Sequence, residues 1–376
     1  MPTKNSTHTR VFGPDLIRAA AIMLVLMSHT VPGGTCFPVF GTLRGFWGVL
    51  GVEIFFMLSG YLIGGILMAD LFAGRLDGPS GVVEFWKRRW FRTLPNYYVF
   101  LVLTMLETTV LTGRFPAEAG SFVWFGQAMI SPYPEFFPAA WSLSVEEWFY
   151  LLFPVMLFTL AKVLPRRQQA LLATIVVFLV VPVIIRCLIP PTASWDGGIR
   201  RVTLPRLDAI GYGVLLVWVK NYGGGVWNFL VRLWPVGVAS GVALTVHFCH
   251  YYAISGGFTL DSVAYRAFYF NLISVCLVLV FPKVVGMTAP GGWFEKMIRN
   301  LSLWSYSMYL SHGIFSGVIA IILMHTGPWH GWEPVIAFPL IWLMTIPGSA
   351  FVYRFYERPL MNLRDRPLKE IFRHPR

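Results

Sequence analysis

Long apolar stretches recur along the whole 376-residue chain, and they restrict its fold more than any other feature. Hydrophobic residues make up 56% of the sequence and charged residues only 13%, which excludes an ordinary soluble domain. An apolar stretch of about 18 residues or more is long enough to cross a bilayer as a helix. We therefore predict an all-α polytopic membrane helix bundle. About ten transmembrane helices are expected, at 14–31, 46–68, 93–112, 146–163, 169–188, 206–219, 231–249, 265–282, 303–324 and 335–356.

The basic residues lie mainly on one side of this topology. Clusters such as Lys87–Arg92 and Lys162–Arg167 alternate with segments that carry few basic residues. Because basic segments stay in the cytoplasm, both termini are predicted to be cytoplasmic, and an even number of spans agrees with this. We predict a single transmembrane domain over residues 1–376, with its core at about 12–361. No small-residue cleavage site follows the first span, so we expect that span to be retained.

The net charge of +12 has two interpretations. On a soluble protein it would suggest a nucleic-acid partner, but no basic stripe lies on a soluble module here. In a membrane protein, basic residues set the topology and contact lipid headgroups. We therefore predict contact with membrane lipid and no nucleic-acid partner.

Histidines and cysteines give no sign of a metal site. His247 and His250 are one helical turn apart, but no Cys or Asp motif accompanies them or the pair His325 and His330. A structural zinc site needs four such ligands, so no metal is predicted. None of the four cysteines forms a CxxC pair, and a disulfide among Cys36, Cys187 and Cys249 stays open because all three fall near one side of the membrane.

Two ionisable residues lie in the first apolar span. Arg18 is near its start and His29 near its end, eleven residues later. At 1.5 Å per residue of helix, they are about 16 Å apart along the axis. Ionisable groups inside a membrane span are costly and mark functional sites. His29 has a structural alternative, a hydrogen bond to a neighbouring carbonyl.

A second basic group precedes the third predicted span. Arg89 and Arg92 are three residues apart, so they share one face of a helix. Guanidinium groups bind phosphate through paired hydrogen bonds. The same run is also typical of an ordinary cytoplasmic anchor. Together with Arg18, however, these arginines predict a phosphate site about 16 Å below His29, which matches the reach of the pantetheine arm of coenzyme A.

Two carboxylates open the fourth predicted span. Glu146 and Glu147 follow Ser142 and Ser144, either of which could cap a helix that places the glutamates in its first turn. Functionally, one of the glutamates would orient His29 and raise its basicity. Glu53, in the second span, is a competing partner for His29.

Two weaker pairs involve the later spans. Glu357 is expected to pair either with an arginine of the phosphate site or with Arg354, three residues before it. Arg206 and Asp208 open the sixth span and are expected to form a local ion pair.

Six motifs, in order along the chain, resemble those of the membrane acyltransferase-3 family. They cover most of the chain, from about residue 12 to residue 361. One departure is Glu53, which stands where the family usually has Asp. The motifs are Arg18 with His29, Gly51–Ile63, Phe85–Pro95, Trp141–Glu147, Ser305–His312 and Tyr353–Pro359.

This resemblance implies an integral membrane O-acyltransferase of the bacterial cytoplasmic (inner) membrane that takes acetyl groups from cytoplasmic acetyl-CoA. Acceptors in the family are typically hydroxyls of exported or cell-surface carbohydrates, including lipid-linked glycans, and some members modify small molecules. Many members carry an added extracytoplasmic domain. The sequence ends soon after its last span, so the resemblance is to the short form.

The expected mechanism combines the residues above. Arg18, Arg89 and Arg92 would bind the donor's phosphates, and His29, oriented by Glu146 or Glu147, would take the proton from the acceptor hydroxyl. Direct transfer and an acyl-histidine intermediate both fit the sequence. A transporter or flippase for a lipid-linked glycan or anionic solute is the alternative function, and a non-catalytic membrane subunit is a third.

Overall fold

The computed structural model describes residues 11–32, 38–129, 135–255, 262–327 and 331–363. Most residues in these ranges are helical and none lies in a strand, which confirms the predicted all-α fold. The helices are α1 (Phe12–Thr30), α2 (Pro38–Phe72), α3 (Pro79–Thr112), α4 (Ala119–Val123), α5 (Ala140–Val163), α6 (Arg167–Leu188), α7 (Leu207–Tyr222), α8 (Val226–Arg232), α9 (Trp234–Ser255), α10 (Val263–Val285), α11 (Gly292–Thr326), α12 (Glu333–Val352) and α13 (Arg358–Met361).

Eight helical segments in the described part of the chain are long and apolar enough to cross a membrane. The other two predicted spans have different forms. Helices α8 and α9, which contain the span predicted at 231–249, meet at a 57° bend, as in a broken span or a re-entrant loop. Helix α7 has 16 residues, which is short for a bilayer about 30 Å thick. The cytoplasmic position of the termini stays a prediction.

Two helices begin well before the predicted spans. Helix α3 begins at Pro79 instead of residue 93, so Arg89 and Arg92 lie inside it. Helix α5 begins at Ala140, six residues before the predicted start at 146. This earlier start moves Glu146 and Glu147 about 9 Å further along the helix axis than a first-turn position would place them.

Helix α1 packs against α2, α10 and α11. Helix α2 also packs closely against α7. At that crossing, a Cβ atom on Gly60 would collide with the carbonyl oxygen of Ile210, and one on Gly213 would collide with that of Met57. Small residues let membrane helices approach each other at the backbone, and these two glycines fix the α2–α7 contact.

The segment between α3 and α5 folds back onto the bundle. The side chain of Phe122 is fully buried, and its carbonyl oxygen accepts a hydrogen bond of 2.8 Å from the hydroxyl of Tyr97. Gln127 donates a 2.6 Å hydrogen bond to Ser144, which holds the segment against the start of α5. Ser144 is therefore a buried packing residue within α5 and does not cap it.

Candidate active site

Three adjacent cavities lie along the bundle, and we name each by its walls. The basal cavity, of about 320 Å³, lies between α2 and α3 and is lined by Asp70, Arg75, Arg88, Arg89 and Arg92 among others. The central cavity, of about 110 Å³, is lined by Arg18, Arg89, Arg92, Ser59, Glu146 and Tyr309 among others. The histidine cavity, of about 760 Å³, is lined by His29, Arg44, Arg200, Arg201, Tyr309 and His312 among others.

Shared wall residues join these cavities in series. Arg89 and Arg92 line both the basal and the central cavity. Val52 and Tyr309 line both the central and the histidine cavity. The arginines predicted to bind phosphate and the predicted catalytic histidine therefore lie on a single line of cavities.

The structure brings the three predicted arginines together at the central cavity. Arg89 and Arg92 project from the same face of α3, and Arg18 reaches the cavity from α1. The guanidinium of Arg89 lies over the ring of Tyr150, 5.5 Å from its centroid. Within the described ranges, neither Arg89 nor Arg92 forms a salt bridge with a carboxylate. Both guanidinium groups can therefore still form hydrogen bonds with an anionic ligand, although Glu146 and Glu147 are electrostatic neighbours of Arg89.

Arg18 is held more firmly than the other two arginines. Its Nη1 atom donates to the hydroxyl of Ser302 at 3.4 Å, and that hydroxyl donates to Asp15 at 2.6 Å. Asp15 and Ser302 are both buried where α1 packs against α11. This network fixes the side chain of Arg18 in the wall of the central cavity.

The basal cavity contains an ion-pair network. Asp70 accepts hydrogen bonds from Arg75 at 2.6 Å and from Arg88 at 2.9 Å. One carboxylate is thus shared by two arginines, and Arg89 and Arg92 add further positive charge to the same walls. The basal cavity is therefore strongly electropositive.

His29 faces the histidine cavity, where its side chain is exposed. Its ring lies beside the ring of His312, with 4.9 Å between the centroids. Arg44, Arg200 and Arg201 are its other electrostatic neighbours. His29 is therefore accessible to a ligand in this cavity and is surrounded by groups that carry or can accept positive charge.

Tyr309 stands between the central and histidine cavities. Its hydroxyl lies 2.6 Å from that of Ser142, and it donates a 3.0 Å hydrogen bond to the carbonyl oxygen of Ala139. These contacts tie α11 to the start of α5. The position of Tyr309 at the boundary makes its side chain the wall that a ligand reaching from the arginines to His29 would pass.

The expectation that Glu146 or Glu147 orients His29 does not agree with the geometry. Glu146 lines the central cavity beside Ser59 and Tyr150. Glu147 accepts a 2.7 Å hydrogen bond from Thr93. Both glutamates are electrostatic neighbours of Arg89. The physical reason is the earlier start of α5, which carries the two carboxylates down to the level of the arginines.

Three other expected carboxylate contacts also differ. Glu53 pairs with Arg206 in the interior of the protein and does not contact His29. Asp208 pairs instead with Arg186 at 2.7 Å, so Arg206 and Asp208 form no local ion pair. Glu357 accepts hydrogen bonds from Ser307 at 2.7 Å and from Asn96 at 3.3 Å instead of pairing with Arg354. Arg92 and Arg18 of the predicted phosphate site are its electrostatic neighbours, in line with the other expected alternative. For Asp208 and Glu357, a tertiary contact replaces the neighbour in sequence.

The segment Trp195–Arg200, between α6 and α7, forms one wall of the histidine cavity. Asp196 bonds to Arg200, and lies 2.6 Å from the Nη2 atom of Arg201. Burial raises the pKa of Asp196, but attraction and hydrogen bonds from Arg200 and Arg201 outweigh burial and leave that pKa below its ordinary value. Asp196 is therefore ionised at neutral pH and holds both arginines in the wall.

The remaining histidines and cysteines form no cluster in the described ranges that could hold a metal ion. His247 contacts the hydroxyl of Tyr265 at 2.8 Å instead of pairing with His250. Cys187 and Cys249 are free thiols. Cys36 and His330 lie outside the described residues, so the pairs that involve them stay predictions.

Sequence reasoning missed several residues of the histidine cavity. Arg44, Arg200 and Arg201 belong to none of the motifs found in the sequence, and His312 belongs only to the motif Ser305–His312. The nearness of His312 to His29 depends on the packing of α1 against α11, which no local pattern encodes. The one sequence signal that pointed to His312 was its position as a second histidine within an apolar span.

The family model described as an acyltransferase domain matches residues 11–354. The chain belongs to the acyltransferase-3 family. This membership confirms the resemblance drawn from the six motifs. Together with the long apolar helices, it identifies an integral membrane protein with an acyltransferase domain.

Curated relatives occur in Staphylococcus aureus. The O-acetyltransferase OatA of strain NCTC 8325 is 26% identical over 93% of this chain and 57% of its own length. A provisionally named O-acetyltransferase of strain COL is 26% identical over 95% of this chain and 58% of its own length. The chain thus spans a little under three fifths of the relatives it matches. No solved structure matches it significantly.

Proposed function

We propose that this protein transfers an acyl group, in the first instance acetyl, from cytoplasmic acetyl-CoA to a hydroxyl of an exported or cell-surface carbohydrate. The observation that carries the proposal is the series of cavities, with Arg18, Arg89 and Arg92 at one end and His29 at the other. A membrane site for this reaction needs a cationic pocket for the donor and a base that an acceptor can reach. The names of the curated relatives support acetyl as the group and O-acylation as the reaction.

In this proposal the donor enters from the basal cavity. Its phosphates bind Arg89 and Arg92, which form no salt bridge among the described residues, and Arg18 extends the cationic wall. The narrow central cavity suits a flexible chain such as pantetheine better than a nucleotide. The thioester then lies past Tyr309, near His29, at a distance that matches the rise of about 16 Å from Arg18.

The acceptor hydroxyl enters the histidine cavity from the opposite side. A ring nitrogen of His29 takes the hydroxyl proton while the oxygen attacks the thioester carbonyl. The new C–O ester bond forms, the C–S bond breaks, and the departing thiolate recovers the proton from the imidazolium. Atoms and charge balance without any metal or redox step.

The two predicted glutamates act at the donor end in this scheme. Glu147 is fixed by Thr93, and both carboxylates lie close enough to Arg89 to hold its guanidinium in the cavity wall. We therefore assign Glu146 and Glu147 a positioning role at the arginines. His29 has no carboxylate partner among the described residues, so in this scheme it acts on the acceptor hydroxyl without one.

The test uses purified protein in nanodiscs, with acetyl-CoA labelled in the acetyl group and a crude fraction of cell-surface carbohydrate as acceptor. We expect acceptor-dependent release of free thiol and label in an ester. His29→Ala should lower the rate by at least about 100-fold, since general base catalysis is worth that much. His250→Ala, which alters an exposed histidine on α9, is the matched control.

Transfer by His29→Ala at the wild-type rate would contradict the assignment of His29. Movement of the carbohydrate across the membrane without acetyl-CoA would instead favour the flippase alternative. The mass of the labelled product identifies both the acceptor and the acyl group.

A further inference from the structure

The histidine cavity has an excess of positive charge in its described walls. Three arginines line it, and Asp196 is the one carboxylate among the described lining residues. Glu135, outside the wall, pairs with Arg201 at 2.8 Å. Two carboxylates therefore face three guanidinium groups, even before His29 accepts a proton.

Arg44 is the source of this excess. Its side chain is exposed to the cavity, and its Nη1 atom donates to the carbonyl oxygen of Val31 at 3.4 Å. In the part of the chain that the structure describes, no carboxylate lies within salt-bridge distance of it. A carbonyl contact leaves the charge of Arg44 unneutralised, unlike the charges of Arg200 and Arg201.

This arrangement creates a specific problem for His29. If it takes a proton, it becomes a cation beside Arg44, Arg200 and Arg201. The carboxylates that sequence reasoning offered as partners lie elsewhere, since Glu53 bonds to Arg206 and the two glutamates of α5 lie beside Arg89. An opposite charge near a base favours its protonated form. The substrate is therefore the remaining group that can supply a negative charge near His29.

We propose that the acceptor carries its own anionic group, a carboxylate or a phosphate, which binds Arg44 and places the acceptor hydroxyl at His29. This inference rests on the proposed acyl transfer for the identity of the ligand, but the anion site itself does not depend on it. The bound anion neutralises the excess charge and stabilises the imidazolium that forms during transfer. Arg44 thereby selects acidic sugars over neutral ones.

The size of the cavity sets a limit on the acceptor. Ligand pockets usually span about 300–1,000 Å³, and the histidine cavity has about 760 Å³. It accommodates a sugar residue with an acidic substituent. A longer glycan would enter with one acidic residue bound and the rest outside.

The test measures occupancy of the cavity and does not require turnover. Diethyl pyrocarbonate modifies accessible neutral histidines, and mass spectrometry of peptides reports the modification at His29. Three probes share one sugar and differ in charge: methyl glucoside, methyl glucuronide and glucose 1-phosphate. We expect the two anions to protect His29 at about tenfold lower concentration than the neutral glucoside, as charge-assisted bonds are stronger.

Arg44→Gln should remove that preference and leave any protection by the neutral glucoside unchanged. Arg114→Gln, which alters an exposed arginine just after α3, should keep the preference and controls for the loss of one charge. Reaction of His29 itself shows that each variant is folded with an open cavity. The carboxylate and phosphate probes separate the two sources of charge, and either one supports the proposal.

Equal protection by all three probes, no protection by any, or a preference that survives Arg44→Gln would each overturn the proposal. The outcome is distinct from a failure of the proposed function. If the anions protect His29 through Arg44 but no acetyl transfer is found with any acceptor, the anion site stands and acyl transfer does not.

Discussion

The imidazole rings of His29 and His312 lie 4.9 Å apart between centroids and are tilted by 48° to each other. His312 is buried, and its Nδ1 atom lies 3.2 Å from the carbonyl oxygen of Met308. A carbonyl can only accept, so Nδ1 must carry a hydrogen and the ring is held in one orientation. This fixed ring packs against the ring of His29.

His312→Ala should therefore lower kcat while leaving the KM for the donor unchanged. Without that ring His29 can rotate, and a misplacement of about 1 Å costs about 100-fold in rate. Initial rates over a range of donor concentrations give both kcat and the KM for the donor. His325→Ala is the matched control, because its Nδ1 atom bonds to the carbonyl of Ile321 in the same way on the same helix but at an exposed site. A change confined to the donor KM would refute the positioning role of His312.

Arg89→Gln and Arg92→Gln should weaken donor binding. A hydrogen bond to a charged group contributes about 1.5–3 kcal/mol, so each variant should raise the Kd for coenzyme A by about 10- to 100-fold. Calorimetry with the protein in nanodiscs gives the Kd directly. Arg232→Gln, at an exposed arginine of α8, should leave it unchanged. Unaltered affinity in both cavity variants would exclude a phosphate site there.

The apolar runs predicted where the spans lie, because hydrophobicity over a window of about 19 residues is a local property of the chain. They did not predict where helices begin. The starts of α3 and α5 contain charged or polar residues that tertiary contacts bury, as Glu147 and Ser144 show. A helix that extends beyond its apolar stretch is therefore invisible to a hydropathy pattern.

The same limit explains which parts of the candidate site the sequence predicted. Arg18, Arg89 and Arg92 were predicted to lie together because the spacing of residues along a helix gives the depth of each residue in the membrane. The partners of the carboxylates did not follow, because the sequence suggests neighbours such as Asp208 for Arg206. In the structure that arginine bonds to Glu53, 153 residues away.

The buried pair of Arg186 and Asp208 supplies a test of stability. Both side chains are almost fully buried, and their atoms approach to 2.7 Å. Asp208→Asn should destabilise the protein by about 3–5 kcal/mol, because it leaves a buried guanidinium without its counter-charge. Thermal unfolding in detergent is the measurement. Glu295→Gln, which breaks the exposed pair with Arg299, should cost less than about 1 kcal/mol. Equal losses of stability in the two variants would show that burial of Arg186 does not determine the cost of removing its counter-charge.

Helix α2 carries two glycines, Gly60 and Gly65, that should respond oppositely to alanine. At Gly60 a methyl group would collide with the backbone of α7, so Gly60→Ala should force α2 and α7 apart. The loss of stability should be about 3 kcal/mol, the upper end of the usual range for overpacking. At Gly65 nothing lies within 4 Å of the added methyl, so Gly65→Ala should be neutral or stabilise the helix by up to about 1 kcal/mol. Thermal unfolding of both variants in the same detergent compares their stabilities.

Because α2 contributes Val52 to the walls of the central and histidine cavities, Gly60→Ala should also lower acyl transfer, whereas Gly65→Ala should not. If the two variants unfold at the same temperature, the backbone contact between α2 and α7 does not determine the stability of the bundle.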